Sequence, residues 1–445
     1  MGRRVAASKR SQRALDWLNF FVADVQTGFG PFVAVYLAAQ EWTQTEIGLA
    51  LSVGAFTAMA SQVPAGALVD AMPRKRLAAV AALVAVAASA LLLAAWPATL
   101  PVLVSEVLHG FASCVLAPAV AAISLALVGR EGLGMRLARN VRYRAIGNGI
   151  AAGVLGAAGT YISGAAVFWL TAALCVPALS ALAAIRGDDL APPPAETAQA
   201  SNDGGRGEIR RLLRDRRLLV FAACCALFAL SNAAMLPLAG VEANRNTGDM
   251  ANLVIAAGIV VPQFMGAAIS PWVGRLAERR GRRAALLLGF GALPVRGLLL
   301  PVAVADPFML VAVQALDGVS AAALGVLLPL IAADLTRGTN RFNLCMGVFG
   351  LATGVGATLS TAAAGAVAGW LGAGPAFLAL AGAGLLAVLL VLFAMPETLP
   401  ADGSESRAPD ERETAGSPAP ADVPEPEAPL SGRPERAELA KTPRD

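Results

Sequence analysis

Blocks such as ALPVRGLLLPVAVA (292–305) and LGAGPAFLALAGAGLLAVLLVLF (371–393) constrain this chain more than any other feature. Runs of about 20 mostly apolar residues match the roughly 30 Å hydrocarbon core of a bilayer. They recur along all but the ends and one internal stretch. Hydrophobic residues make up 56% of the 445 and charged residues 15%, against about 25% charged in soluble domains. The chain reads as an all-α polytopic membrane protein. Breaking it at charges and Gly/Pro turns predicts twelve spans, near 14–38, 46–69, 77–95, 101–128, 144–161, 165–185, 218–239, 251–274, 284–304, 308–333, 344–366 and 374–394.

The basic residues alternate between successive connections. The N-terminus carries five Lys and Arg, and alternate segments carry three (70–76), five (129–144), seven (186–217), five (275–283), two (334–343) and six (the C-terminal tail). The opposite set of connections holds only Arg245, and Arg296 lies within a span. Cytoplasmic loops hold the Lys/Arg excess, so both termini are expected in the cytoplasm, as in a cell (inner) membrane protein. A missed span would have scrambled the alternation.

The organisation that follows is a cytoplasmic N-terminus (1–13), a first set of six helices (14–185), a polar linker (186–217), a second set of six (218–394) and a tail (395–445). The tail is rich in Pro, Glu, Ala and Arg and buries too little apolar area to order itself. MPET (395–398) at its start is too short a motif to weigh. The five cysteines lie in apolar stretches without ligand-like spacing and read as small core residues. The basic start is followed by no A-x-A-like cleavage site.

The two halves resemble each other in one register. Gly66 and Gly274, Leu68 and Leu276, Asp70 and Glu278, Arg74 and Arg282, Lys75 and Arg283, Glu106 and Gln314, and Gly110 and Gly318 all lie 208 residues apart. Further on, an offset of 201 pairs Gly149 with Gly350 and Gly153 with Gly354. Both halves start on the same side, so the repeat is parallel, an arrangement known in transporters with a site between the halves.

GALVDAMPRKRL (66–77) and GRLAERRGRR (274–283) resemble the loop signature of the major facilitator superfamily, roughly G-x-L-A-D-R-x-G-R-R. The second copy fits nearly throughout, with Glu278 for Asp; the first departs at Ala71 and Pro73. The resemblance covers residues 14–394 and implies two six-helix bundles around a cavity that opens to alternate sides. It also implies that Gly66, Asp70, Arg74, Gly274, Glu278 and Arg282 form a conformational latch. The plainer reading is that the cations there only enforce topology.

Charged groups inside a bilayer cost several kcal/mol and face protein or water. Here they are Asp24, Glu106, Arg296 and Asp317, with His109 the only histidine. Asp24 shares a helical face with Asp16, Thr27 and Pro31; Glu106 and His109 share one with Ser105, Gly110 and Ser113. Gln314 and Asp317 cluster on the tenth span, and Ser231 and Asn232 on the seventh. Polar residues thus gather on spans one, four, seven and ten, which line the cavity in the family this chain resembles. Asp24, Glu106, His109, Asp317, Asn232, Gln314 and Arg296 are the candidate substrate- or proton-binding residues. Hydrogen bonding between helices is the alternative for the small polar groups, and snorkelling or an ion pair for Arg296. The family's R-x-x-Q-G reads EVLHG here (106–110), a carboxylate in place of a cation. GNGIAAGVLGAAG (147–159) keeps the glycines of the family's fifth-span antiporter pattern but lacks its Pro.

The expected function is secondary transport of a small solute by alternating access, coupled to protons, with export an open possibility. An uncoupled facilitator and a transporter-like sensor are the alternatives. One histidine, no nucleophile motif and no P-loop argue against an enzyme or ATP-driven pump. No catalytic residue, metal, cofactor or nucleic-acid partner is expected; the partners are substrate, protons and lipid, and the chain is expected to be a monomer.

Overall fold

The computed structural model describes residues 8–27, 29, 31–190, 214–247, 251–337, 339 and 341–398. Within its helices, the side chains of Asp24, Gln26, Thr27, Pro31, Gln44 and Thr45, and those of 243–247 and 251–256, lie outside the description. So do most of the expected linker, 191–213, and the tail from 399 onward.

The described chain is helical. The first half contains α1 (Lys9–Thr27), α2 (Pro31–Ala39), α3 (Gln44–Ala71), α4 (Lys75–Ala95), α5 (Thr99–Val128), α6 (Leu133–Tyr161) and α7 (Gly164–Ala184). The second contains α8 (Arg216–Asn232), α9 (Met235–Thr247), α10 (Ala251–Arg279), α11 (Arg282–Ala303), α12 (Pro307–Leu335), α13 (Phe342–Leu371) and α14 (Ala373–Ala394). Side-chain caps set several starts. Thr43 and Glu46 form a capping box at α3. Asp306 accepts from the amides of Phe308 and Met309 at 2.8 and 2.9 Å, ahead of Pro307 in the first turn of α12.

Ten stretches among the described residues are long and apolar enough to cross a membrane. The other two expected spans fall on α6 and on the α1–α2 pair. The expected first span, 14–38, is broken after Thr27, four residues before Pro31. The seventh, 218–239, breaks near Ala233, four residues before Pro237. Proline lacks an N–H, and its ring meets the carbonyl four residues earlier. At the second break the amide of Ala234 donates to Ser360 Oγ at 3.1 Å. The helix of the fifth expected span, α6, starts at Leu133, eleven residues before the expected 144. Its basic start looked like loop, yet Asp16 pairs with two of its arginines. Arg136 Nη2 and Arg139 Nη2 both lie 2.5 Å from the Asp16 carboxylate.

The halves pack alike. In the first, α1 lies on α6 and α7, α3 on α5, and α4 on α5 and α7; in the second, α8 lies on α13 and α14, α10 on α12, and α11 on α12 and α14. Between halves, α6 packs on α10 and α12 while α13 packs on α3 and α5, the same relation read from either side. The helix bounds refine the register. Starts of α5 and α12, Thr99 and Pro307, keep the 208 offset, but α6 and α13 start 209 apart, at Leu133 and Phe342. Gly149 therefore answers to Thr358, and the Gly149–Gly350 pairing at 201 does not hold. Glycine is too common in this chain to fix a register.

One hydrophobic cluster draws its buried residues from α1–α5, α7 and the residue after α7, between Ala14 and Ile185. A second joins Ala121, Leu133, Leu137 and Val141 of the first half to Phe221, Val273, Leu327 and Phe349 of the second. The halves thus share a core. All five cysteines are free and buried.

Candidate functional site

Polar groups converge in three places. The first is inside the second half. Arg296 on α11 is 1% exposed at its side chain. Its Nη1 donates to Asn232 Oδ1 at 2.6 Å and Asp317 Oδ1 at 2.8 Å, and its Nη2 to Gln314 Oε1 at 2.5 Å. Four of the expected site residues, from α8, α11 and α12, thus form one network. Arg296 is ion-paired here, an arrangement its sequence position left open. Gly297 beside it lets α11 lie against Ala381, 2.8 Å from where a Cβ would stand. Asp317 stays 20% exposed at its side chain, so the network keeps one wet edge.

The second is inside the first half, on α5. Glu106 is 6% exposed, and Gly54 on α3 leaves the space its carboxylate fills. Its Oε1 has no hydrogen-bond partner among the described residues. His109, one turn on, stacks on Phe29 with ring centroids 3.6 Å apart, and its Nε2 lies 3.3 Å from Ser113 Oγ. His109 Nδ1 is likewise without a partner among the described residues. No described cation pairs with Glu106.

Asp24 is in α1, with its side chain outside the described residues. Arg136 Nη1 donates to Gln12 O, Arg136 and Arg139 bond Asp16, and Trp17 meets Tyr143. Residue numbers rise together, so α1 and α6 run parallel.

The third place is the end of the molecule where the α3–α4 and α10–α11 loops lie. Asp70 Oδ1 accepts from the amide of Asn343 at 3.0 Å and its Nδ2 at 2.7 Å; Oδ2 accepts from the amide of Leu344 at 2.7 Å. Asp70 therefore caps α13 of the other half, an anion on a helix N-terminus. Glu278 does the reciprocal thing, accepting from the amide of Met135 in the first turn of α6 at 2.8 Å. Gly66 and Gly274 make both crossings possible. A Cβ on Gly66 would strike the carbonyl of Asn343, and one on Gly274 would sit 2.7 Å from Ala138 Cβ.

Arg74 and Arg282 do not join these contacts. Arg74 is exposed. Arg282 Nε pairs with Asp334 Oδ2 at 3.0 Å within its own half. Lys75 Nζ donates to the carbonyls of Val69 and Asp70 at 2.6 and 2.9 Å. Arg130 closes the same end by donating to the carbonyl of Ala333 across the halves.

Two residues escaped sequence reasoning. Glu397, in MPET, caps α11: its carboxylate accepts from the amides of Arg282 at 2.8 Å and Arg283 at 3.1 Å. Gly281, with φ +95°, leaves the room. The other is Arg144, hidden by four basic neighbours in 129–144. Eleven residues into α6, at about 1.5 Å each, it stands about 16 Å from the helix start.

Where the N-terminal stretch meets the end of α7, Ser8 and Ser11 donate to Asp189 Oδ2 at 2.5 and 2.6 Å. These bonds hold the Asp189 carboxyl below the usual carboxylate range.

A helical membrane protein of two like halves, cross-capped at one end and with polar clusters inside each half, defines a class, the transporters built as parallel repeats. The sequence pattern of the Major Facilitator Superfamily matches residues 16–293 and 229–437. The chain belongs to that superfamily. It is similar to the uncharacterized MFS-type transporter MT2531 of Mycobacterium tuberculosis strain CDC 1551 / Oshkosh, 38% identical over 414 residues, 90% of this chain and 97% of the relative. The uncharacterized MFS-type transporter Rv2456c of Mycobacterium tuberculosis strain ATCC 25618 / H37Rv matches with the same figures. Among solved structures, the crystal structure of the human organic anion transporter MFSD10 (TETRAN) shares the fold, with a TM-score of 0.66 and 15% identity, covering 86% of this chain and 99% of that one.

Proposed function

We propose that this chain is a proton-coupled secondary transporter of a small solute. Its twelve spans form two six-helix bundles, 14–185 and 218–394, with both termini in the cytoplasm of a cell whose membrane they cross. In this orientation the cross-capped end is cytoplasmic, and opening it requires Asp70 and Glu278 to release the opposite helix N-termini. The observation that carries the coupling is Glu106, a buried carboxylate with no described cation and one oxygen without a described partner. A proton gained or lost there changes the charge of the first half's interior, whereas Asp317 is tied to Arg296. Asp24 is the second acid in this reading.

The test is reconstitution in proteoliposomes with an interior pH dye. Wild type should move protons when substrate is added, and Glu106→Gln and Asp24→Asn should lose gradient-driven accumulation while keeping solute exchange. Gradient-driven accumulation at wild-type rate in both variants would remove Glu106 and Asp24 from the coupling, and no proton movement in wild type would leave an uncoupled facilitator.

A further inference from the structure

Neither interior cluster says what kind of solute is carried, but one side chain outside both does. We propose that Arg144 is an anion-binding group between the two halves, and that the solute carries a carboxylate, phosphate or sulfonate. This rests on the transport reading and names its substrate class.

Val141, Arg144 and Asn148 share one face of α6, being three and four residues apart. That face is turned to the second half. Val141 is 7% exposed and abuts Gly325 of α12, while Asn148 Nδ2 reaches Gln263 Oε1 of α10 at 3.4 Å. The opposite side of α6 carries Ile150 and Val154, each 49% exposed, an apolar face suited to lipid. Arg144 itself is exposed. A side chain exposed on an inter-half face, about 16 Å along its helix, borders solvent-accessible space between the halves, near the middle of a roughly 30 Å hydrocarbon core.

Gly325 completes the geometry. A Cβ there would stand 3.2 Å from Arg144 Nη2 and 3.0 Å from Val141 Cγ2, so the missing side chain makes room for the guanidinium. Among the described residues no acid pairs with Arg144. The contrast with Arg136, Arg139, Arg282 and Arg296, each paired to a carboxylate, is direct. Guanidinium is a bidentate donor for carboxylate and phosphate and stays charged at any working pH. In the position answering to Arg144 at the 209 offset, α13 carries Thr353, so the second half brings no counterpart cation.

The experiment uses the full-length protein in nanodiscs of uncharged phosphatidylcholine, so that lipid head groups offer no competing anion. Thermal unfolding is followed at fixed ionic strength while benzoate and phenyl phosphate are titrated, with benzyl alcohol and benzylammonium as neutral and cationic matches. At least one of the two anions should raise the melting temperature saturably, and Arg144→Gln should weaken it by about tenfold or more. Modification of wild-type Arg144 by 4-hydroxyphenylglyoxal, read by peptide mass spectrometry, should be slowed by the same anion. This second readout needs no variant that might misfold. No saturable shift with either anion, an equal shift in Arg144→Gln, or modification indifferent to the anion overturns the site. Arg144-dependent stabilisation without anion flux into proteoliposomes would keep the site and sink transport. Benzylammonium flux untouched by Arg144→Gln would keep transport and overturn the anion class.

Discussion

The two interior clusters occupy answering places in the two halves, yet they differ in kind. Buried positions on α4 recur on α11 207 residues later: Leu83 with Phe290, Val86 with Leu293, Ala90 with Gly297. On that register Ser89 answers to Arg296. On α5 and α12, offset by 208, Glu106 answers to Gln314 and His109 to Asp317. In the second half the long cation reaches Gln314 and Asp317. In the first half the short hydroxyl of Ser89 bonds Ser105 Oγ at 2.8 Å instead, and Glu106 receives no described cation. Serine in place of arginine, with Glu106 and His109 in place of Gln314 and Asp317, separates an ion-paired acid from one with no described cation. A parallel repeat thus holds an ion pair in one half's interior and, among the described residues, an unpaired acid in the other's.

The largest expected effect comes from breaking the fixed side. Arg296→Leu strands Asp317, Gln314 and Asn232 without their shared donor, and removing one partner of a buried pair costs about 3–5 kcal/mol. Thermal unfolding in detergent should show it, and adding Asp317→Asn should recover part of the loss. An unchanged melting temperature in Arg296→Leu would end the distinction between the clusters.

Next come the cross-caps, which are unequal. Asp70 takes three hydrogen bonds from α13 and Glu278 one from α6. Loss of a helix cap costs about 0.5–2 kcal/mol, so Asp70→Ala should open the capped end more than Glu278→Ala. Spin-label distances across that end report it, and equal opening in both variants would count against the reading.

The chain's exit from α14 offers a smaller test. Truncation after Leu399 should leave the melting temperature alone, whereas truncation after Met395 removes the Glu397 cap on α11 and should cost about 1 kcal/mol. Identical unfolding of both truncations would show that the cap contributes nothing.

Smallest of all should be the stability effect of Glu106→Gln. Shape is kept and no described ion pair is broken, so the change should stay within about 1 kcal/mol. A loss comparable to that of Arg296→Leu would reveal a counter-ion for Glu106 and erase the comparison.

Much of this was legible in the residues. The apolar blocks mark helices because crossing a bilayer demands length and hydrophobicity, both local properties. The paired loop motifs disclosed the repeat and the family, and four expected polar residues did converge on one network. The residues that read wrongly share a cause. Arg144 looked like loop because its basic neighbours did, and the fate of those neighbours depended on Asp16, more than a hundred positions away in the chain. MPET seemed too short to weigh because its partner amides begin a different helix.

The sequence by itself determined the helical class, the repeat and the family, since composition, spacing and loop motifs are written along the chain. Only the tertiary structure decided that Asp70 meets the N-terminus of a helix in the other half, and that Arg296 is paired while Arg144 is left without a described partner. Charge and burial are properties of neighbours in space. A side chain's partner is chosen by which helices cross, and in this chain Gly66, Gly274 and Gly325 set how closely they do.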